Sequence, residues 1–246
     1  MPPGFGRATP RVHYNAPSMT ASHPQAGWWQ QGAWLKRHWP FRTTATLLYM
    51  AVFFLVYFWL LRHPQFPVTR VPRTRVDQWI AFQPWSLVLY ASLWVYISLV
   101  PALLRARREL LAYVWSVTWA SLIGFTIFFF WPMAVPRPDL DWARYPSVAF
   151  LKSVDASGNA CPSLHVAFSV LTCLWLDHWL KQVRAPVWPR IVNLAWFLAI
   201  VYSTLATKQH VALDVVAGAA LGVLVTVPYL HRLRAGNVLV RAAEYQ

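Results

Sequence analysis

The chain alternates long apolar stretches with short polar segments. Thr43 to Leu61 carries no charge, Trp85 to Leu104 is broken only by Pro101, and a third stretch runs from Leu110 to Trp131. Three more follow: Ser163 to about Leu180, with His165 at its start and Asp177 and His178 at its end; Ile191 to Thr207; and Val211 to Leu230, which holds a single acid, Asp214. A helix of about 20 residues crosses the roughly 30 Å hydrocarbon core and satisfies its own backbone hydrogen bonds there. The pattern therefore predicts an all-α polytopic membrane protein, a bundle of six transmembrane helices over residues 43–230. An interfacial or unfolded amino-terminal tail (1–42) precedes it and a cytoplasmic tail (231–246) follows.

Composition agrees with the bilayer. Of 246 residues 57% are apolar and 12% charged, and 22 Lys+Arg against 8 Asp+Glu give a net charge of +14. These cations sit in the gaps between apolar runs rather than on one face, which excludes a nucleic-acid binder and an ordinary soluble domain. Sixteen Trp and ten Tyr suit the headgroup level. Trp28, Trp29, Trp34 and Trp39 with Lys36 and Arg37 read as an interfacial anchor, and Val76 to Phe82 as a short interfacial helix. Two cysteines, Cys161 and Cys173, cannot build a disulfide framework. With the amino terminus inside, Lys and Arg number 14 on the inner side and 8 on the outer. This bias predicts an inner or plasma membrane location with both termini cytoplasmic.

Ionisable groups at membrane depth are costly and by default mark function. In the six-span arrangement Arg137, Ser163, His165, Lys208, His210 and Asp214 all fall on the outer face. His210 and Asp214, four apart at a helix start, share one helix face, so the carboxylate can orient the imidazole and steady the charge of an alkylated or phosphorylated ring. Pro162 and Ser163 open a helix whose first N–H groups and dipole favour an anion, and His165 lies in that first turn. Arg137 and Lys208 add cationic donors, completing the outline of a phosphate pocket. His and Asp at this spacing also suit a metal, but only His165 offers a third ligand, so no metal and no cofactor is expected. His178 is read as bonding a neighbouring helix, Gly218 and Gly222 as a small-residue pair for close packing, and Cys161 as an uncatalytic neighbour of the anion site.

Pro162-Ser163-Leu164-His165, then Ser203, His210 and Asp214 at matching offsets, resemble the second and third motifs of the type 2 phosphatidic acid phosphatase superfamily, and Arg137-Pro138 the end of its first. The resemblance implies a six-helix membrane core and metal-independent hydrolysis or transfer of a lipid phosphate or diphosphate, with a lipid alcohol as one conceivable acceptor. It implies that His210 is the phosphorylated nucleophile, Asp214 its orienting acid and His165 the proton donor. Arg137, Ser163, Leu164, Ser203 and Lys208 would then bind the substrate phosphate. The chain departs from the family at Phe130 and Thr204, where cationic residues are usual, and Lys208 is the candidate to compensate. Leu164 replaces the usual glycine, and Pro-Ser-Leu-His is similar to the inositol phosphorylceramide synthase branch, which favours transfer. Phosphatase and phosphotransferase both remain open, and a non-catalytic lipid-phosphate binder or translocator is the alternative.

Overall fold

The computed structural model describes residues 32–136, 140–154 and 158–244. Arg137 and Pro138, and the tail through Trp28 and Trp29, lie outside the described residues. Helix α1 spans Gly32–Arg62; after strand β1 (Thr69–Arg70) come α2 (Arg75–Trp79), a 3-10 turn at Pro84–Ser86, α3 (Leu87–Ala91), α4 (Leu93–Leu103) and α5 (Arg107–Phe130). Strand β2 (Met133–Ala134) leads to a second 3-10 turn, α6 (Pro146–Val154), α7 (Leu164–Gln182), α8 (Val187–Ala206) and α9 (Ala212–Glu244).

Among the described residues five segments are long and apolar enough to cross a membrane: Pro40–Arg62, Pro84–Leu103, Arg107–Phe130, Val187–Ala206 and Ala212–Ala235. The sixth expected span is the helix α7, which is not among them. Its setting explains the difference. α7 packs against α4, α5, α8 and α9, and Leu164 to Thr172 are buried in succession, followed by Trp175, Leu176, His178 and Leu180. A helix enclosed by protein meets neighbouring side chains instead of lipid and tolerates polar groups that a lipid-facing helix does not. The lipid-facing character falls on α1, where Leu47, Leu48, Val52, Leu55 and Trp59 are exposed.

Polar contacts fix the carboxyl-terminal end of the central helix. Asp177 pairs with Lys181 at 2.6 Å and with Arg190 of α8 at 2.7 Å, while His178, expected to bond a neighbouring helix, lies 3.6 Å from the Glu109 carboxylate of α5. The second expected span is interrupted at Ser92, whose hydroxyl donates to the Leu89 carbonyl at 2.6 Å and accepts the Trp196 indole N–H at 2.9 Å. Such back-bonding by serine bends a helix. The pair Gly218 and Gly222 does bring α9 against α7: a Cβ on Gly222 would stand 2.6 Å from the Ala167 carbonyl oxygen.

The loops at the α7 amino-terminal end are stitched together. β1 pairs in parallel with β2, Thr69 opposite Met133 and Arg70 opposite Ala134, and the Ala160 N–H donates to the Met133 carbonyl at 3.0 Å. Val71, Val135, Ala160 and Val211 close over one another as a small apolar cluster beside the start of α9. Of the segment Val76 to Phe82 only the first part is helical, as α2 over Arg75–Trp79, with Ile80 already extended, and α6 is an addition that the apolar pattern did not foretell.

Candidate active site

The turn between α8 and α9 positions His210. The carbonyl of Thr204 accepts both the Gln209 and the His210 N–H groups at 3.1 Å, and the next two N–H groups are capped by carboxylates. Val211 donates to Asp214 Oδ2 at 3.1 Å and Ala212 to Asp77 Oδ1 at 2.8 Å. Two acids thus cover the otherwise unpaired N–H groups at the start of α9, where they also complement the helix dipole. Asp77 is itself anchored by the Thr74 N–H and hydroxyl at 2.6 and 2.8 Å. The Thr-x-x-Asp spacing of a helix start was present in the sequence as a signal for it, but nothing there joined it to Ala212.

Asp214 is fully buried, and its Oδ2 lies 3.4 Å from His210 Nδ1. Among the described residues neither Nδ1 of His210 nor Oδ1 of Asp214 has a hydrogen-bond partner, so the four-residue spacing brings the pair together at slightly more than hydrogen-bond length. Asp214 also accepts, through its backbone carbonyl, the Ser163 N–H at 3.1 Å. This strap ties the α9 start to the α7 start.

Ser163 caps α7, its hydroxyl oxygen accepting the Val166 N–H at 3.2 Å, as the sequence position after Pro162 suggests. Leu164 fits because Gly124 of α5 lies opposite: a Cβ there would stand 2.6 Å from Leu164 Cδ2. His165 sits in the first turn, its Nε2–H donating to the Tyr90 carbonyl at 3.0 Å and its ring stacked on the Tyr90 ring at 3.9 Å and 15°. Trp94 meets the same imidazole edge-on at 6.3 Å. Tyr90 and Trp94 stand four apart along the second apolar stretch, a helix-face pattern legible beforehand whose target was not.

His165, His210 and Leu164 line one cavity of about 400 Å³, walled by Phe53, Phe54, Tyr57, Phe58, Tyr90 and Trp94. Two expected substrate ligands stand elsewhere. Ser203 is fully buried and turns its hydroxyl back to the Ile200 carbonyl at 2.6 Å. Lys208 donates to the Asp77 carbonyl at 3.0 Å and to the Ile80 carbonyl, so its ammonium ties α2 to the α8–α9 turn. Burial holds that ammonium below the usual lysine value, with Asp77 opposing and Arg73 adding to the fall. Phe130, where the resemblance would place a lysine, is 63% exposed, and Thr204 spends its hydroxyl on the Val201 carbonyl at 2.7 Å. Burial, with Asp214 adding its charge, pushes the Cys161 thiol up to about 11, so it stays neutral. Among the described residues no group of three His, Cys, Asp or Glu could hold a metal ion.

A helical bundle with several membrane-crossing spans, carrying two histidines in one cavity and a carboxylate behind one of them, defines a polytopic membrane protein with a polar site at one end. Residues 109–236, just over half of the chain, match the PAP2 superfamily, and the chain belongs to that family. Members are in general phosphatases or phosphotransferases. No curated protein and no solved structure matches the chain.

Proposed function

We propose that the protein is a metal-independent lipid phosphatase or phosphotransferase working through a phosphohistidine. The observation that carries this reading is the shared cavity of His165 and His210 with Asp214 buried 3.4 Å behind His210 Nδ1. Nδ1 faces the carboxylate, so Nε2 is the nucleophile. It attacks phosphorus, the bond from phosphorus to the leaving oxygen breaks, and His165 supplies the proton that oxygen needs. Water or an alcohol then attacks the phosphohistidine, gives its proton to His165, and the P–N bond breaks to restore both rings. Because Nε2 of His165 is engaged by the Tyr90 carbonyl, the proton is exchanged at Nδ1.

Asp214 steadies the imidazolium that forms on attack, and the first N–H groups of α7 face the nonbridging oxygens, where charge develops. Arg137 completes the anion site in this reading. Leu164 in the motif leaves the backbone N–H in place and favours the transfer branch, with a lipid alcohol as acceptor. Purified protein incubated with a panel of lipid phosphates in chelator should release phosphate, and His210→Ala should abolish release. A new lipid phosphomonoester on adding a lipid alcohol, or a new phosphodiester where the donor is itself a phosphodiester, would mark transfer. Phosphate binding without release by the unaltered chain would instead establish the non-catalytic binder or translocator.

A further inference from the structure

The turn that carries His210 is gripped from outside the bundle. Lys208 stands there at φ 58°, in the left-handed region that a residue with a Cβ enters only at a cost. Backbone bonds from residues 207–210 run back to the Ser203, Thr204 and Leu205 carbonyls of α8. The forward side rests on two carboxylates, Asp214 at the Val211 N–H and Asp77 at the Ala212 N–H. The segment 77–83 lies along this turn from one end to the other. The Gln83 N–H donates to the Ala206 carbonyl at 2.9 Å, the Lys208 ammonium to the Asp77 and Ile80 carbonyls, and the Ala212 N–H to Asp77 Oδ1. His210 falls midway between the last two holds. The gripping segment lies outside the family match at 109–236.

Asp77 is the pivot of this grip. Its Oδ2 accepts the Thr74 N–H and hydroxyl and closes the capping box of α2, a five-residue helix too short to hold itself together. Its Oδ1 reaches the start of α9. One carboxylate therefore both folds the loop and fastens it to the turn, whereas without the Lys208 ammonium Asp77 and Gln83 still hold. The Ala212 N–H lies two residues from His210 and two from Asp214, so a shift there moves that pair relative to His165, which the Tyr90 carbonyl holds separately. The strap from Ser163 fixes the α9 start on one side, and Asp77 fixes it on the other. Resting on the phosphoryl-transfer reading, we infer that Asp77 is a positioning residue. Through the Ala212 N–H it keeps the His210 ring in line with the phosphate, and it is not in the wall of the histidine cavity and touches no substrate.

The test is rapid-quench labelling of the full chain with whichever radiolabelled lipid of dioleoyl phosphatidate, a sphingoid phosphate and a polyprenyl diphosphate it turns over fastest. The amplitude of phosphohistidine counts folded sites, and the rate of its formation reports alignment. Asp77→Ala should slow labelling about 10²-fold, the scale of a displacement near 1 Å at a reacting pair, with KM within about twofold and the amplitude kept. Asp77→Asn, which still offers an oxygen to the Ala212 N–H, should stay within about tenfold of the unaltered chain. Gln78→Ala, exposed on the same helix, should change nothing. Hydrogen exchange across residues 208–212 reads the grip without turnover: Asp77→Ala should speed it about tenfold or more, and Asp77→Asn less. Faster exchange in Asp77→Ala, with no labelling or phosphate release from the unaltered chain, would sink the phosphoryl-transfer reading and keep the grip. Loss of amplitude at an unchanged rate would reduce Asp77 to a folding role and overturn the proposal, as would unchanged exchange. A raised KM with kcat intact would overturn it too, by putting Asp77 at the substrate.

Discussion

Gly218 of α9 lies so close to Ser163 that a Cβ on it would stand 2.3 Å from the Ser163 carbonyl oxygen and 3.2 Å from the Ser163 Cβ. The obstacle is backbone at the capped start of α7, which cannot swing aside. Gly218→Ala must therefore push α9 away and stretch the strap from the Ser163 N–H to the Asp214 carbonyl. Gly222→Ala, one turn further on, meets the Ala167 carbonyl at 2.6 Å and Val170 Cβ at 2.9 Å, away from that strap. Both should lose about 1–3 kcal/mol in thermal or denaturant unfolding, the usual range for overpacking. Only Gly218→Ala should in addition lose about 10²-fold in kcat, because displacements near 1 Å at a reacting pair cost about that much. Equal activity losses in the two variants would show that packing, not alignment of the site, sets the rate.

The carboxylate of Asp214 has two separable duties. Its Oδ2 caps the Val211 N–H at 3.1 Å and faces His210 Nδ1 at 3.4 Å. Asp214→Asn keeps an oxygen for the N–H but loses the charge that steadies an imidazolium. Stability should change by less than about 1 kcal/mol, within the range of a retained neutral hydrogen bond. kcat should fall about 10³- to 10⁴-fold, the scale seen when an acid-to-amide change upsets an imidazole's orientation and tautomer. Steady-state kinetics and acid-quenched labelling of the phosphohistidine measure both. A loss confined to unfolding temperature, with kcat intact, would remove Asp214 from the chemistry.

Some of this was legible in the order of residues alone. Apolar length located the membrane segments because a lipid-facing helix has no other way to be soluble in the bilayer, and among the described residues five are helices long and apolar enough to cross one. The pair His210 and Asp214 was legible because four residues is one helical turn. Contacts between distant parts of the chain were not. Tyr90 reaches His165 across 75 positions and Asp77 reaches Ala212 across 135, and no periodicity encodes which helix faces which. α7 shows the same limit from the other side: the tract reads as one more span, yet its neighbours bury it so thoroughly that it needs less apolar character than they do. The resemblance to the family supplied the motif residues, but it said nothing of the wall built by α1, α3 and α4, which lies outside the match.

Lys208, expected as a donor to the phosphate, engages the backbone of a neighbouring segment. It stands two residues before His210, yet its ammonium donates to the Asp77 and Ile80 carbonyls of the α2 segment. Lys208→Met should therefore lower kcat less than about tenfold, whereas loss of a donor to a transferring phosphoryl group costs about 10²- to 10³-fold. The pH dependence of stability gives a second readout. Burial depresses the folded-state pKa of Lys208 below the usual 10.5. Below that lowered value the cost of burying the ammonium is fully present in the folded protein. As pH rises from there towards 10.5 the folded state releases the proton while the unfolded chain still holds it, so stability from this group increases with pH. Unfolding temperatures of the unaltered chain and of Lys208→Met, followed through that window, should diverge in favour of the unaltered chain. A flat difference would mean that the ammonium is solvated, and a 10²-fold activity loss would return Lys208 to the phosphate.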